Sequence, residues 1–238
     1  MTGNIIRIAV GVDYRELVAY HTAVSSIIQR SSQPVAFIPI AINTLSSIFH
    51  REIPPAASTE FSFTRFLAPY LCGYEGWVIF MDSDVVVLDD ITTLWDQRDD
   101  RYAIMCVKHD HHPLSDTKFL GQQQTVYEKK NWSSVMLMNC ARCQALTPDY
   151  VNSATGLDLH RFHWLESEAL VGEIPPEWNH LVGWSNGALK DQKLLHWTEG
   201  GPYFKAYADT KWADVWHAEH AAATIVIEKK LQASHGRR

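Results

Sequence analysis

Two aspartates separated by one serine, Asp82-Ser83-Asp84, stand between two apolar runs, Trp77 to Met81 and Val85 to Leu88. In an extended chain residues i and i+2 point to the same side, so both carboxylates can face one point from the end of a core strand. Carboxylates placed that way repel each other unless a proton or a cation stands between them. Hard oxygen ligands of this kind suit Mg²⁺ or Mn²⁺. The spacing therefore points to a divalent-metal site at a strand end, where the metal would hold phosphates. For the tripeptide alone, a plain turn with side chains bonded to backbone is the other reading.

Other residues of chemical interest fall at the ends of expected strands. Asp13 follows the apolar run Ile5 to Val10 and opens a helical pattern, so it is a candidate for contacting a base or ribose, or an N-cap. Arg65 is the lone cation of the segment Phe61 to Leu71, which suits a phosphate clamp or an ion pair to a carboxylate. Lys108-His109-Asp110-His111-His112 is a polar cluster closing another strand. Consecutive residues seldom converge on one metal, so the cluster reads as a substrate-contacting loop with Asp110 or His109 reaching the ligand. Ser133 and Ser134 would let backbone approach a ligand closely. His196 ends the short apolar run Leu194-Leu195 and precedes Gly200-Gly201-Pro202; on the residue alone, a buried histidine bonded to backbone is the simpler account.

These residues need a frame. Ile5 to Val10, Pro34 to Ile42, Trp77 to Met81, Tyr102 to Val107 and Asn131 to Asn139 read as strands. Glu16 to Arg30 carries Leu17, Tyr20, Val24, Ile27 and Ile28 at helical spacing. Phe61 to Leu71 reads as a helix, Ile91 to Trp95 as a short one, and Thr147-Pro148-Asp149 as a helix start. Ser115 to Lys130 reads as a loop with a hairpin, and 213–230 as helical before a frayed, basic end. Strand and helix alternate, so the expected class is α/β, with a mostly parallel central sheet flanked by helices. No repeat or linker interrupts the chain. It is read as one domain over 1–238, with a core of about 5–212 and a helical tail over 213–238.

Composition narrows the function. The chain has 238 residues, 46% hydrophobic and 20% charged, which marks a globular protein. A net charge of −6 without a long basic run argues against a nucleic-acid partner. No signal peptide is visible and no apolar run reaches membrane-spanning length, so a cytoplasmic setting is expected. The cysteines Cys72, Cys106, Cys140 and Cys143 read as free thiols, Cys140-x-x-Cys143 being a lone pair.

Taken in order, the strand ending at Asp13, the Phe63-Thr64-Arg65-Phe66 segment, Phe80-Met81-Asp82-Ser83-Asp84, the small-residue strand Asn131 to Asn139 and the run from His196 to Pro202 resemble a nucleotide-sugar glycosyltransferase of the GT-A, Rossmann-like fold. The resemblance is greatest to family 8, the glycogenin and bacterial galactosyltransferase group, over residues 5 to about 205. It implies that Asp82, Asp84 and His196 ligate Mn²⁺ (or Mg²⁺) bridging the diphosphate of a donor, a UDP-sugar in that family. It implies that Asp13 contacts the nucleoside, that Arg65 contacts the diphosphate or sugar, and that Asp110 contacts sugar hydroxyls. Ser83, Ser133 and Ser134 fall within the matched motifs and are counted with the donor-binding residues. Transfer to a sugar, glycan or glycoconjugate acceptor would retain configuration. The chain departs from the family at three points. The lysine expected at Pro202 is absent, leaving Lys205 as its substitute. The acid-amide pair is replaced by Trp164-Leu165-Glu166, making Glu166 a candidate catalytic group beside Asp110. The strand asparagine aligns with Trp132, or with Asn131 one residue out of register. Two other readings stand beside this one: a haloacid dehalogenase-like phosphatase with Asp82 as nucleophile, and a GT-A protein that binds nucleotide or sugar without turnover.

Overall fold

The computed structural model describes residues 5–54, 59–110 and 128–225. Its main sheet is built from β1 (Ile6–Val12), β2 (Val35–Ala41), β3 (Trp77–Met81), β5 (Ile104–Cys106), β6 (Val135–Asn139) and β7 (Val171–Glu173), in the order β2-β1-β3-β6-β5-β7. β1 pairs in parallel with β2 and β3, and β5 with β7, while β6 runs antiparallel between β3 and β5. Five of the six strands thus share one direction, as the alternating pattern requires.

The apolar runs are continuous because the sheet is covered on both faces. On β3, Val78 and Phe80 join one core with Phe61, Phe66 and Met136, while Ile79 and Met81 join the other with Ile8, Val10 and Leu137. Each such buried side chain contributes roughly 1.5–3 kcal/mol of burial free energy. β2 forms an edge, which is why Pro39 is tolerated within it. Gly11 on β1 lies against the Phe61 ring; a Cβ there would stand 2.4 Å from it, so only glycine admits that approach.

A second, three-stranded sheet positions the site. β4 (Val85–Val87) pairs antiparallel with β9 (Leu194–His196), which pairs in parallel with β8 (His180–Leu181). A small apolar cluster of Val86, Val182, Leu195, Trp197 and Trp216 seals it against α6 (Ala213–Thr224).

Several elements differ from expectation. In α1 (Leu17–Arg30) the buried face is Ala19, Thr22, Ala23, Ser26 and Ile27, whereas Leu17 and Ile28 are exposed. Small residues were needed because α1 packs closely: the Ser26 hydroxyl accepts from the Val87 amide at 3.0 Å. Over Phe61 to Leu71 the chain forms a 3₁₀ turn, Thr64–Leu67, before α2 (Ala68–Leu71). Asn131 adopts a left-handed conformation (φ 65°) and Trp132–Ser134 a 3₁₀ turn, so the strand begins only at Val135. α6 stops at Thr224, where Ile225 turns extended. As expected, α3 is Ile91–Trp95 and Thr147 caps α4 (Pro148–Ser153), its side chain accepting from the Tyr150 amide, whereas β7 was not among the expected strands. Of the loop with a hairpin expected over 115–130, residues 115–127 lie outside the described residues, as does the tail after 225.

Candidate metal centre

The two sheets meet at Asp82-Ser83-Asp84. Asp82 follows the last residue of β3 and its amide donates to the Ser134 carbonyl at 2.9 Å. Asp84 precedes β4, whose register sets Val85 opposite His196, and the Trp197 amide donates to the Asp84 carbonyl at 3.0 Å. His196 is thereby delivered to Asp84 by strand pairing, with Nε2 standing 3.3 Å from Asp84 Oδ1. Asp82, Asp84 and His196 each offer a ligand atom, and these atoms lie within 4.8 Å of one another. Ser83 points away between them, as alternation demands, and its hydroxyl donates to Glu16 Oε1 at 3.3 Å.

The cluster fits a divalent cation. Asp84 Oδ1 is buried and accepts no hydrogen bond from a described residue, so the His196 contact is an ion-pair approach without hydrogen-bond alignment. An orphaned carboxylate oxygen facing an imidazole nitrogen needs a positive centre between them. Two carboxylate oxygens and one imidazole are a donor set suited to Mn²⁺ or a similar ion, leaving positions for phosphate oxygens. Burial pushes the His196 pKa down, but attraction from Asp84 and Asp82 more than offsets it and the net shift is upward. Without a metal, the doubly protonated ring, with hydrogen on both nitrogens, would take the cation's part.

Around the cluster stands a polar shell. Arg65 Nη1 donates to Asp82 Oδ1 at 2.8 Å and to the Ser133 carbonyl at 2.9 Å. On the far side of His196, Nδ1 lies 3.0 Å from Asn179 Oδ1, and Asn179 Nδ2 donates to the Ser134 hydroxyl at 2.9 Å. That hydroxyl donates to the Asn131 carbonyl at 2.6 Å, and Asn131 Oδ1 accepts from Thr198 at 3.2 Å. Behind Ser83, the buried Glu16 accepts from the Tyr203 hydroxyl at 2.7 Å. Burial first, then the nearby Asp84 charge, raises the Glu16 pKa to about 8.

Of the residues singled out from sequence, the structure brings Asp82, Asp84, His196, Arg65, Ser133 and Ser134 together. Arg65 forms the ion pair, and Ser134 supports Asn179. Ser133 Oγ lies 2.6 Å from His160 Nδ1. Asp13 is an N-cap, fully buried, accepting from the Arg15 amide and guanidinium and from the Glu60 amide. Burial raises its carboxyl pKa, and the hydrogen bonds from Arg15 reverse this, so the net shift is downward. Asp110, Glu166 and Lys205 are exposed: Asp110 at the end of a described stretch, Glu166 in the turn between α5 (Gly156–His160) and β7, Lys205 at the start of a 3₁₀ turn. His111 and His112 lie outside the described residues. All four cysteines are free.

Sequence reasoning missed Glu16, Asn179, Tyr203 and His160. The one available signal was Asn179 after a double proline, since the rigid turn Pro176–Asn179 buries it completely. It also missed a cavity of about 540 Å³ lined by Trp184, Trp197, Glu199, Tyr207 and Thr210. Glu199 Oε1 is buried there without a hydrogen-bond partner.

Known proteins share this architecture. The family model described as Glycosyl transferase family 8 matches residues 25–144. Protein CDI of Arabidopsis thaliana is 48% identical over 218 residues, which is 88% of this chain and 84% of that protein. The apo-form glycosyltransferase GlyE of Streptococcus pneumoniae TIGR4 superposes with a TM-score of 0.60 at 15% identity, over 90% of this chain and 60% of GlyE. The galactosyltransferase LgtC, solved with donor and acceptor sugar analogs, superposes with a TM-score of 0.58 at 11% identity, over 94% of this chain and 98% of LgtC. At such identities the structural likeness speaks for the fold. This chain spans less than two thirds of GlyE.

Proposed function

The chain belongs to glycosyl transferase family 8, and on that premise we propose that it moves a sugar from a nucleotide-sugar donor, a UDP-sugar, to a carbohydrate acceptor with retention of configuration. The observation that carries this reading is the buried cluster of Asp82, Asp84 and His196 at the carboxyl-terminal edge of a doubly covered sheet, where ligands of such folds bind. These three residues would hold Mn²⁺ or Mg²⁺, which when bound supplies positive charge to the departing diphosphate.

The chain's own residues divide the remaining work. Arg65 fixes the Asp82 carboxylate and compensates its charge; this ion pair, and not a direct phosphate contact, is the role its geometry favours. Asp13 organises the loop after β1, against which the nucleoside would lie, through its cap and its bond to Glu60. Gly200, at φ 146°, lets the segment after His196 turn back over the diphosphate, and Lys205 follows on that segment as its cation. Asp110 and Glu166 are assigned to sugar hydroxyls. The cavity lined by Trp184, Trp197, Glu199 and Tyr207 suits the acceptor: flat rings cover sugar faces and Glu199 accepts from hydroxyls. Among the described residues no helix is long and apolar enough to cross a membrane, in keeping with a proposed cytoplasmic setting.

Calorimetric titration with UDP and UDP-sugars, with and without Mn²⁺, tests the reading. Mn²⁺-dependent binding lost in Asp84→Asn is expected, together with slow release of UDP from one donor sugar. Hydrolysis of p-nitrophenyl phosphate without nucleotide would instead support the phosphatase. Tight Mn²⁺-dependent UDP binding without turnover of any donor would support a binding protein.

A further inference from the structure

We infer that Asn179 and Ser134 are positioning residues that set the tautomer of His196, holding a proton on Nδ1 and leaving the Nε2 lone pair for the metal. The inference rests on the reading of Asp82, Asp84 and His196 as metal ligands.

The direction of each hydrogen bond follows by elimination from the far end. The Asn131 carbonyl oxygen can only accept, so the Ser134 hydroxyl, 2.6 Å away, must spend its one proton on it. Ser134 Oγ can then only accept from Asn179, 2.9 Å away, which requires the Asn179 amide nitrogen on that side. The Asn179 carbonyl oxygen is thereby turned to His196 Nδ1 at 3.0 Å, and an acceptor there requires Nδ1 to carry hydrogen. Flipping the Asn179 amide would set its oxygen against the Ser134 oxygen, two acceptors face to face. Asn179 is fully buried, and Ser134 and His196 nearly so, so water cannot relieve such a mismatch. The chain then closes on itself, because Asn131 accepts from Thr198, two residues beyond His196. Asn131 presents its carbonyl from a left-handed backbone, a conformation asparagine tolerates better than most residues.

A fixed tautomer matters because a neutral imidazole protonated on Nε2 would aim a hydrogen at the space the cation must fill, and the metal could bind only after tautomerisation. Removing this support should weaken metal binding roughly 10–100-fold, as for other groups that orient a ligating histidine.

The test reads the tautomer in the metal-free protein by ¹⁵N NMR of the His196 ring, titrated to about pH 10, and Mn²⁺ affinity separately by EPR. In the parent the last proton should remain on Nδ1. In Ser134→Ala the Asn179 amide is free to turn, and the proton should redistribute to Nε2 while Mn²⁺ affinity falls. Asn179→Asp still accepts from Nδ1, with the Ser134 hydroxyl turning its proton from Asn131 to the new carboxylate, and should keep the parent tautomer, whereas Asn179→Leu should lose both tautomer and affinity. A merely structural role would lower thermal stability in these variants without moving the ring nitrogens. A parent protonated on Nε2, or a Ser134→Ala protein matching the parent in both readouts, overturns the inference. Because the tautomer is read without metal, its failure is separate from failure of the glycosyl-transfer reading, which shows as absent Mn²⁺-dependent UDP binding.

Discussion

Arg65 and Asp82 form a buried ion pair at 2.8 Å, while Asp84, two residues on, meets among the described residues no cation other than His196 at 3.3 Å. The two carboxylates of the motif are therefore unequal. One is compensated by the fold, and the other awaits a proton or a metal.

Arg65→Ala should for this reason be a stability variant first and a binding variant second. Removing one partner of a buried pair costs about 3–5 kcal/mol because the other charge is left uncompensated. Thermal unfolding of the metal-free protein should show that loss, and saturating Mn²⁺ should restore more of it than it adds to the parent. An unchanged melting temperature in the variant would remove the ion pair from the account.

Mn²⁺ affinity should depend on pH through His196. Proton and metal compete for Nε2, and the folded pKa is raised above 6.5 by Asp84 and Asp82 against the opposing effect of burial. Affinity should be steady above that raised pKa and fall by about tenfold per pH unit below it, with the onset higher than for an ordinary histidine. Asp84→Asn removes the largest raising influence and should move the onset down as well as weakening binding. EPR of free Mn²⁺ between pH 5.5 and 8.5 measures it; a flat profile would exclude His196 as a ligand.

Glu16 gives the metal-free protein an opposite pH dependence. Its pKa rises from 4.5 unfolded to about 8 folded, so the native state holds more protons in that window. Its contribution is fully present below pH 4.5 and is lost as pH rises toward 8. Glu16→Gln still accepts from Tyr203 and should flatten this part of the stability curve, raising the melting temperature at pH 8 relative to the parent. Identical slopes in parent and variant would show that Glu16 is ionised throughout.

Trp184→Ala and Glu199→Gln should raise the acceptor KM far more than the donor KM, since both residues line the cavity proposed for the acceptor. Loss of one aromatic wall should cost about tenfold in acceptor affinity, roughly 1.4 kcal/mol. Steady-state kinetics with each substrate varied in turn would show it. Equal effects on both constants would place the acceptor elsewhere.

The chain's sequence by itself determined five of the six strands of the main sheet, its mostly parallel arrangement, α3, the cap of α4 and the candidacy of Asp82-Ser83-Asp84 as a metal site. These follow from local rules: apolar runs buried on both faces, alternation along an extended chain, and residue preferences at helix starts. Family resemblance added His196, which on its own residue type would have passed for an ordinary core histidine. Only the tertiary structure decided the rest. The pairing of β4 with β9 fixes His196 on Asp84, and no local pattern encodes a register between distant strands. The buried face of α1 needed the structure for a similar reason: a helix pressed against a sheet selects small residues for closeness, and hydrophobicity alone does not report that. Arg65 gave up the role of a free cation because a buried carboxylate lay within reach across the fold. Asn179, Ser134 and Glu16 act through hydrogen bonds to partners far away in sequence, and the direction of such bonds exists only once all the partners are in place.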